Sequence, residues 1–185
     1  MKKNIFIFAL IATFGLTSCS NDDDNTPEVV NEEEVITTVT LTLVPSGGGD
    51  TVILISNDVD GDGPAPPVTA QTGDFVADTD YTGLVSFTNV TETPAEDITE
   101  EVIAEAEEHQ VFYISSGSLN LTTSYNDTDS DGNPLGVMTT VMTGAASSGT
   151  LNIVLRHEPN KPNDGTLGDA GGETDVSVTF DIDIN

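Results

Sequence analysis

Asp175-Val176-Ser177-Val178-Thr179-Phe180-Asp181-Ile182-Asp183-Ile184 alternates polar and apolar residues without a break. A period of two turns the five apolar side chains to one face of a strand and the acids and hydroxyls to the other. Outward from this run the same pattern recurs. Val39, Leu41 and Leu43 alternate with Thr38, Thr40 and Thr42, and similar stretches occupy 51–56, 80–90, 110–116, 118–125, 135–143 and 150–157. About eight strands joined by short turns predict an all-β, antiparallel two-sheet sandwich. Ser46 to Asp50, Gly117, and Gly144 to Gly149 carry hairpin-turn composition.

One helix is expected, over 94–108. Thr93-Pro94-Ala95-Glu96 reads as a capping box with Pro at the first helical position, and Ile98, Val102 and Ala106 recur four apart. Earlier in the chain, Phe75 to Tyr81 resembles the corner leading into a strand of immunoglobulin-like and fibronectin-III-like domains. The resemblance implies that Tyr81 is the corner tyrosine.

The single cysteine is Cys19, behind Leu16-Thr17-Ser18 and an apolar run that Lys2 and Lys3 open. This is the pattern of a lipoprotein signal. Residues 1–18 are expected to be removed and Cys19 acylated, for instance by palmitate. Only about a dozen apolar residues lie between Lys3 and Thr17, against roughly 20 for a transmembrane helix. Residues 19–33 are acidic and polar and read as an extended tether, so the sandwich spans 34–185. Of four Lys and Arg against 32 Asp and Glu, only Arg156 and Lys161 follow the signal. The formal charge of −28 repels nucleic acid and anionic lipid and favours cations.

Asp58, Asp60, Asp62 and Gly63 form a DxDxDG loop, and Asp127, Asp129, Asp131 and Gly132 form a second. Three carboxylates on alternate residues can converge on a hard cation, so calcium is the expected ligand. The twelfth position is Thr69 or Met138 in place of Glu, so neither loop is an EF-hand. Ordinary acidic turns have the same composition. Glu105 and His109 lie one helical turn apart, and His157 continues the apolar register of Leu151, Ile153 and Leu155. Together they could hold zinc or another transition metal, or the histidines could be hydrogen-bonded core residues. Arg156 and Lys161 should have carboxylate partners. The loop from Glu158 to Glu173 is long and irregular, a position that suits either binding or simple connection. No G-x-S-x-G, H-E-x-x-H or phosphate-binding loop occurs, so no enzyme is expected.

Glu34-Val35-Ile36-Thr37-Thr38, Asp58 to Gly63, Ala95 to Glu101, Glu108-His109-Gln110, Leu155-Arg156-His157-Glu158-Pro159 and Gly172 to Asp175 resemble a family of small acidic outer-membrane lipoproteins of Bacteroidota. Some of its members are described as type 1 periplasmic-binding-fold proteins. That fold needs alternating strands and helices, which this chain does not show. The resemblance implies a lipid-anchored outer-membrane protein facing the cell surface or the periplasm, and no particular activity. The expectation is a non-enzymatic binding module for calcium or another divalent cation, accessory to an outer-membrane receptor such as a TonB-dependent one. The competing expectation is a structural or adhesive surface domain with calcium as a staple.

Overall fold

The computed structural model describes residues 34–59 and 65–185. Cys19, Asp60 and Asp62, with the expected signal and tether, lie outside them. Strands β1 (Thr38–Pro45), β2 (Val52–Asn57), β3 (Val68–Thr72), β4 (Asp80–Asn89), β5 (Glu96–Asp97), β7 (Leu121–Tyr125) and β8 (Met138–Thr143) form one antiparallel sheet. Its order is β3-β2-β1-β4-β8-β7, with β5 pairing β4. Strands β6 (His109–Gly117), β9 (Ser147–His157) and β10 (Glu173–Ile184) form the second, in the order β10-β9-β6. The two-sheet sandwich is therefore as the alternation predicts. Leu41, Leu43, Leu54, Val85 and Phe87 of the large sheet are buried in one core with Leu151, Ile153, Leu155, Phe180 and Ile182 of the small one.

Only one of the three expected hairpins forms in the expected way. Ser46 to Asp50 joins the paired β1 and β2. At Gly117 and at Gly144 to Gly149 the chain passes from one sheet to the other instead, because β6 pairs β9 and β7 pairs β8. Gly149 faces Gly117 across the β6–β9 pair, and a Cβ on Gly149 would lie 2.3 Å from the Ser116 carbonyl. Glycine there permits close backbone approach. Every residue of strand β3 is exposed, so its sequence carries no alternation that would announce a strand.

The helix is shorter than expected. Helix α1 spans Ile98–Ala104, its cap is Asp97, whose carboxylate accepts from the Thr99 amide, and the capping box at Thr93 does not form. Glu96 and Asp97 instead pair with Asn89 and Thr88. Thr99 both donates to the Phe87 carbonyl and accepts from the Phe87 amide, so the first turn is held against β4. Ile98 and Val102 are buried, whereas Glu105 already ends the helix. Further Glu residues at 107 and 108 give its continuation no second apolar stripe.

Tyr81 is buried, and its hydroxyl accepts from the Val76 amide at 2.8 Å. This is the hydrogen bond of a tyrosine corner. Phe75 packs edge-on against the Tyr81 ring.

The loop 158–172 is a strap over the outer face of the small sheet. It includes the short helix α2 (Leu167–Ala170), whose Ala170 is buried with Phe112 and Val154. Lys161 fastens it, donating to the Ala106 carbonyl at 2.6 Å and pairing with Asp129 at 3.3 Å. Arg156, the other late cation, donates to the Thr174 hydroxyl and the Gly172 carbonyl.

Candidate metal centre

His109 opens β6 and His157 closes β9, and the two are register partners. Each continues the inward face of its strand, so both side chains are buried. Their rings stand 4.7 Å apart, tilted at 52°. Two carboxylates meet them. Glu34 comes from the segment leading into β1, and its Oε1 lies 3.0 Å from His109 Nε2 while Oε2 lies 3.6 Å from His157 Nδ1. Asp175 comes from β10, with Oδ2 3.9 Å from His109 Nε2 and Oδ1 3.6 Å from His157 Nδ1.

Asp175 reaches this position through a β-bulge. The β10–β9 register shifts between Thr174 and Val176, so Asp175 is the extra residue. Strict alternation would keep it with Ser177 and Thr179 on the solvent face. The bulge re-aims the side chain inward, and its accessible surface falls to 0 %. Gly172, at φ +69°, returns the strap close to β9, where a Cβ would lie 2.3 Å from the His157 carbonyl.

The expected trio of Glu105, His109 and His157 is thus only partly assembled. Glu105 meets His109 through its backbone carbonyl, 3.2 Å from Nδ1. That contact suits a proton on Nδ1 and leaves the Nε2 lone pair facing the carboxylates, as a second-shell carbonyl does for a metal-binding imidazole. The Glu105 carboxylate gathers instead with Glu34 and Glu101. Glu34 and Asp175 supply the oxygens that spacing alone did not reveal.

One ligand atom each from Glu34, His109, His157 and Asp175 can be chosen so that all lie within 4.8 Å of one another. About a tetrahedral zinc, ligands at about 2.0–2.1 Å stand roughly 3.3 Å apart. The imidazole-to-carboxylate distances run from 3.0 to 3.9 Å, each imidazole meeting a different oxygen of Glu34 and of Asp175, so the four groups crowd one point on the scale of that separation. Burial lowers the His109 pKa, but the facing Glu34 and Asp175 carboxylates and the Glu105 carbonyl outweigh it and raise the group above its ordinary value. Burial raises the Glu34 carboxyl, and the adjacent histidines and a backbone hydrogen bond more than reverse this.

The second DxDxDG loop is engaged with its own backbone. Asp127 accepts from the Gly136 amide at 2.7 Å and the Met138 amide at 2.8 Å. Asp129 accepts from the Asp131 and Asn133 amides and faces Lys161. Asp131 is exposed. Between Asp127 and Met138, Leu135 accepts from the Val111 amide and Val137 from the Val85 amide. The segment that Asp127 clamps therefore links the two sheets. Burial raises the Asp129 carboxyl, whereas Asn133 and Lys161 bring it below its usual value. Of the first loop, Asp58 is described. Its amide donates to the Thr37 carbonyl, and its side chain lines a cleft beside Glu34 and Asp175.

No protein-family model, curated protein or solved structure matches this chain. Among the described residues, no helix is long and apolar enough to cross a membrane.

Proposed function

We propose that this protein is a binding module for one divalent transition-metal ion of the zinc class, held by Glu34, His109, His157 and Asp175. The observation that carries this reading is the convergence of two imidazoles and two carboxylates from four separate segments onto one buried point. Imidazole nitrogen suits zinc, copper or nickel, whereas calcium takes an all-oxygen shell. The two carboxylates neutralise a divalent charge, and four protein ligands close a tetrahedral shell, as in a non-catalytic site. We place the module at the cell envelope, anchored through Cys19 and accessory to an outer-membrane receptor, on the strength of the signal pattern and the acidic composition.

A structural reading has its own support in the opposed shifts of His109 and Glu34. Without metal, their ion pair would fasten the segment before β1 to the end of β6. In that case the protein is a surface domain, with any calcium serving as a staple. Calorimetric titration of the purified chain with zinc separates the two. The binding module takes up one ion per chain at micromolar or lower concentration and loses it in a His109→Ala, His157→Ala double variant. The structural domain gives no saturable zinc heat.

A further inference from the structure

A cleft of about 280 Å³ opens beside the four-residue centre. Glu34 and Asp175 belong to both. Ser56 and Asp58 line the cleft as well. We infer that this cleft is the antechamber through which a hydrated divalent cation reaches the centre, with Asp58 and Ser56 receiving it on the way. The inference rests on the metal-binding reading above and adds the route and the residues that serve it.

A cation with six waters, each taking about 30 Å³, occupies roughly 180 Å³ and fits the cleft. Wall chemistry decides between occupants. Three carboxylates, Glu34, Asp58 and Asp175, line one small cleft, and such a concentration of negative charge raises the local concentration of cations. Ser56 is 2 % exposed, and its Oγ reaches no hydrogen-bond partner among the described residues. A buried hydroxyl without a partner is costly, and a water of the incoming hydration shell would satisfy it. The Asp58 amide is pinned to the Thr37 carbonyl at 2.7 Å, so its carboxylate is carried on a backbone fixed to the segment after Glu34.

A residue on the route, unlike a ligand, changes the rates in both directions and leaves the equilibrium alone. Stopped-flow mixing of the purified full chain with zinc chloride, read by a fluorescent zinc chelator, measures both rates. Asp58→Asn is expected to slow association and dissociation together by about three- to tenfold, with Kd changed less than twofold and a weaker salt dependence of association. Ser56→Ala, which removes the unpartnered hydroxyl from the wall without touching a ligand, should slow both rates as well and guards against misfolding of the first variant. Unchanged rates in both variants would overturn the antechamber. A faster dissociation with weakened Kd in Asp58→Asn would overturn it too, making Asp58 a ligand. Failure of the wild-type chain to take up zinc would remove the centre itself and the antechamber with it.

Discussion

His109 and His157 are register partners across β6 and β9, and this pairing sets their rings 4.7 Å apart. Strand register is specified by which face is buried, and a slip by one residue would turn one imidazole to solvent. The core that fixes the register, Val111, Leu151, Ile153 and Leu155, therefore also fixes the geometry of the candidate centre.

Zinc should stabilise the fold through that pair. A ligand at one hundred times its Kd adds about 2.7 kcal/mol. A rise in Tm of several degrees is expected on adding zinc to metal-free protein, with no rise in His157→Ala. Differential scanning calorimetry with and without a chelator reads this out.

Asp175→Asn keeps the size of the side chain and the bulge but removes a charge facing both imidazoles. Zinc affinity should fall tenfold or more while the circular dichroism spectrum stays unchanged. A variant that binds as tightly as the wild type would show that Asp175 is no ligand.

The metal-free protein should respond to pH in the opposite sense to the loaded one. His109 is raised, so its contribution to stability is full below its ordinary value of 6.5 and is lost as pH rises through the raised value. Glu34 is lowered, so its contribution is full above 4.5 and is lost as pH falls through the lowered value. The pair therefore supports the metal-free fold best between those limits. Zinc needs the neutral imidazole, so the zinc-dependent gain in Tm should grow from about pH 6 to pH 8. Thermal melts against His109→Asn at each pH test both signs.

Lys161 and Asp129 form a pair that is almost wholly buried, the side chains being 6 % and 1 % exposed. Burial lowers the Lys161 pKa, and Asp129, Glu107 and Asp127 only partly restore it. Asp129→Asn would leave that ammonium without its nearest counter-charge, and breaking a buried pair in this way costs on the order of 3 kcal/mol. Urea denaturation should show the loss, accompanied by proteolytic sensitivity of the strap at 158–172.

Tyr81→Phe removes the bond to the Val76 amide and keeps the ring against Phe75. A loss of about 1 kcal/mol is expected in the same denaturation measurement, with zinc affinity unaffected because the corner takes no part in the centre.

The sequence makes much of this legible, and the failures have physical causes. The inward direction of His157 follows from its place two residues after Leu155, and Tyr81 announces the corner. Asp175 was hidden because a bulge breaks the parity that made its strand so readable. Glu34 was hidden because it precedes the first alternating residues and has no face to assign. The turns at Gly117 and Gly144 show that glycine marks where the chain bends, while the sheet that the next strand joins depends on partners far away in sequence. The aspartates of 127–131 look alike in the sequence, yet Asp127 and Asp129 hold backbone amides and Asp131 is exposed.

X-ray absorption at the zinc edge, on the purified chain loaded with one equivalent, tests the central claim most directly. The expected spectrum shows four nitrogen and oxygen neighbours at about 2.0 Å, with outer-shell scattering from two imidazoles that disappears in the double histidine variant. A six-oxygen shell without imidazole scattering, or a spectrum indifferent to both histidines, would contradict the account.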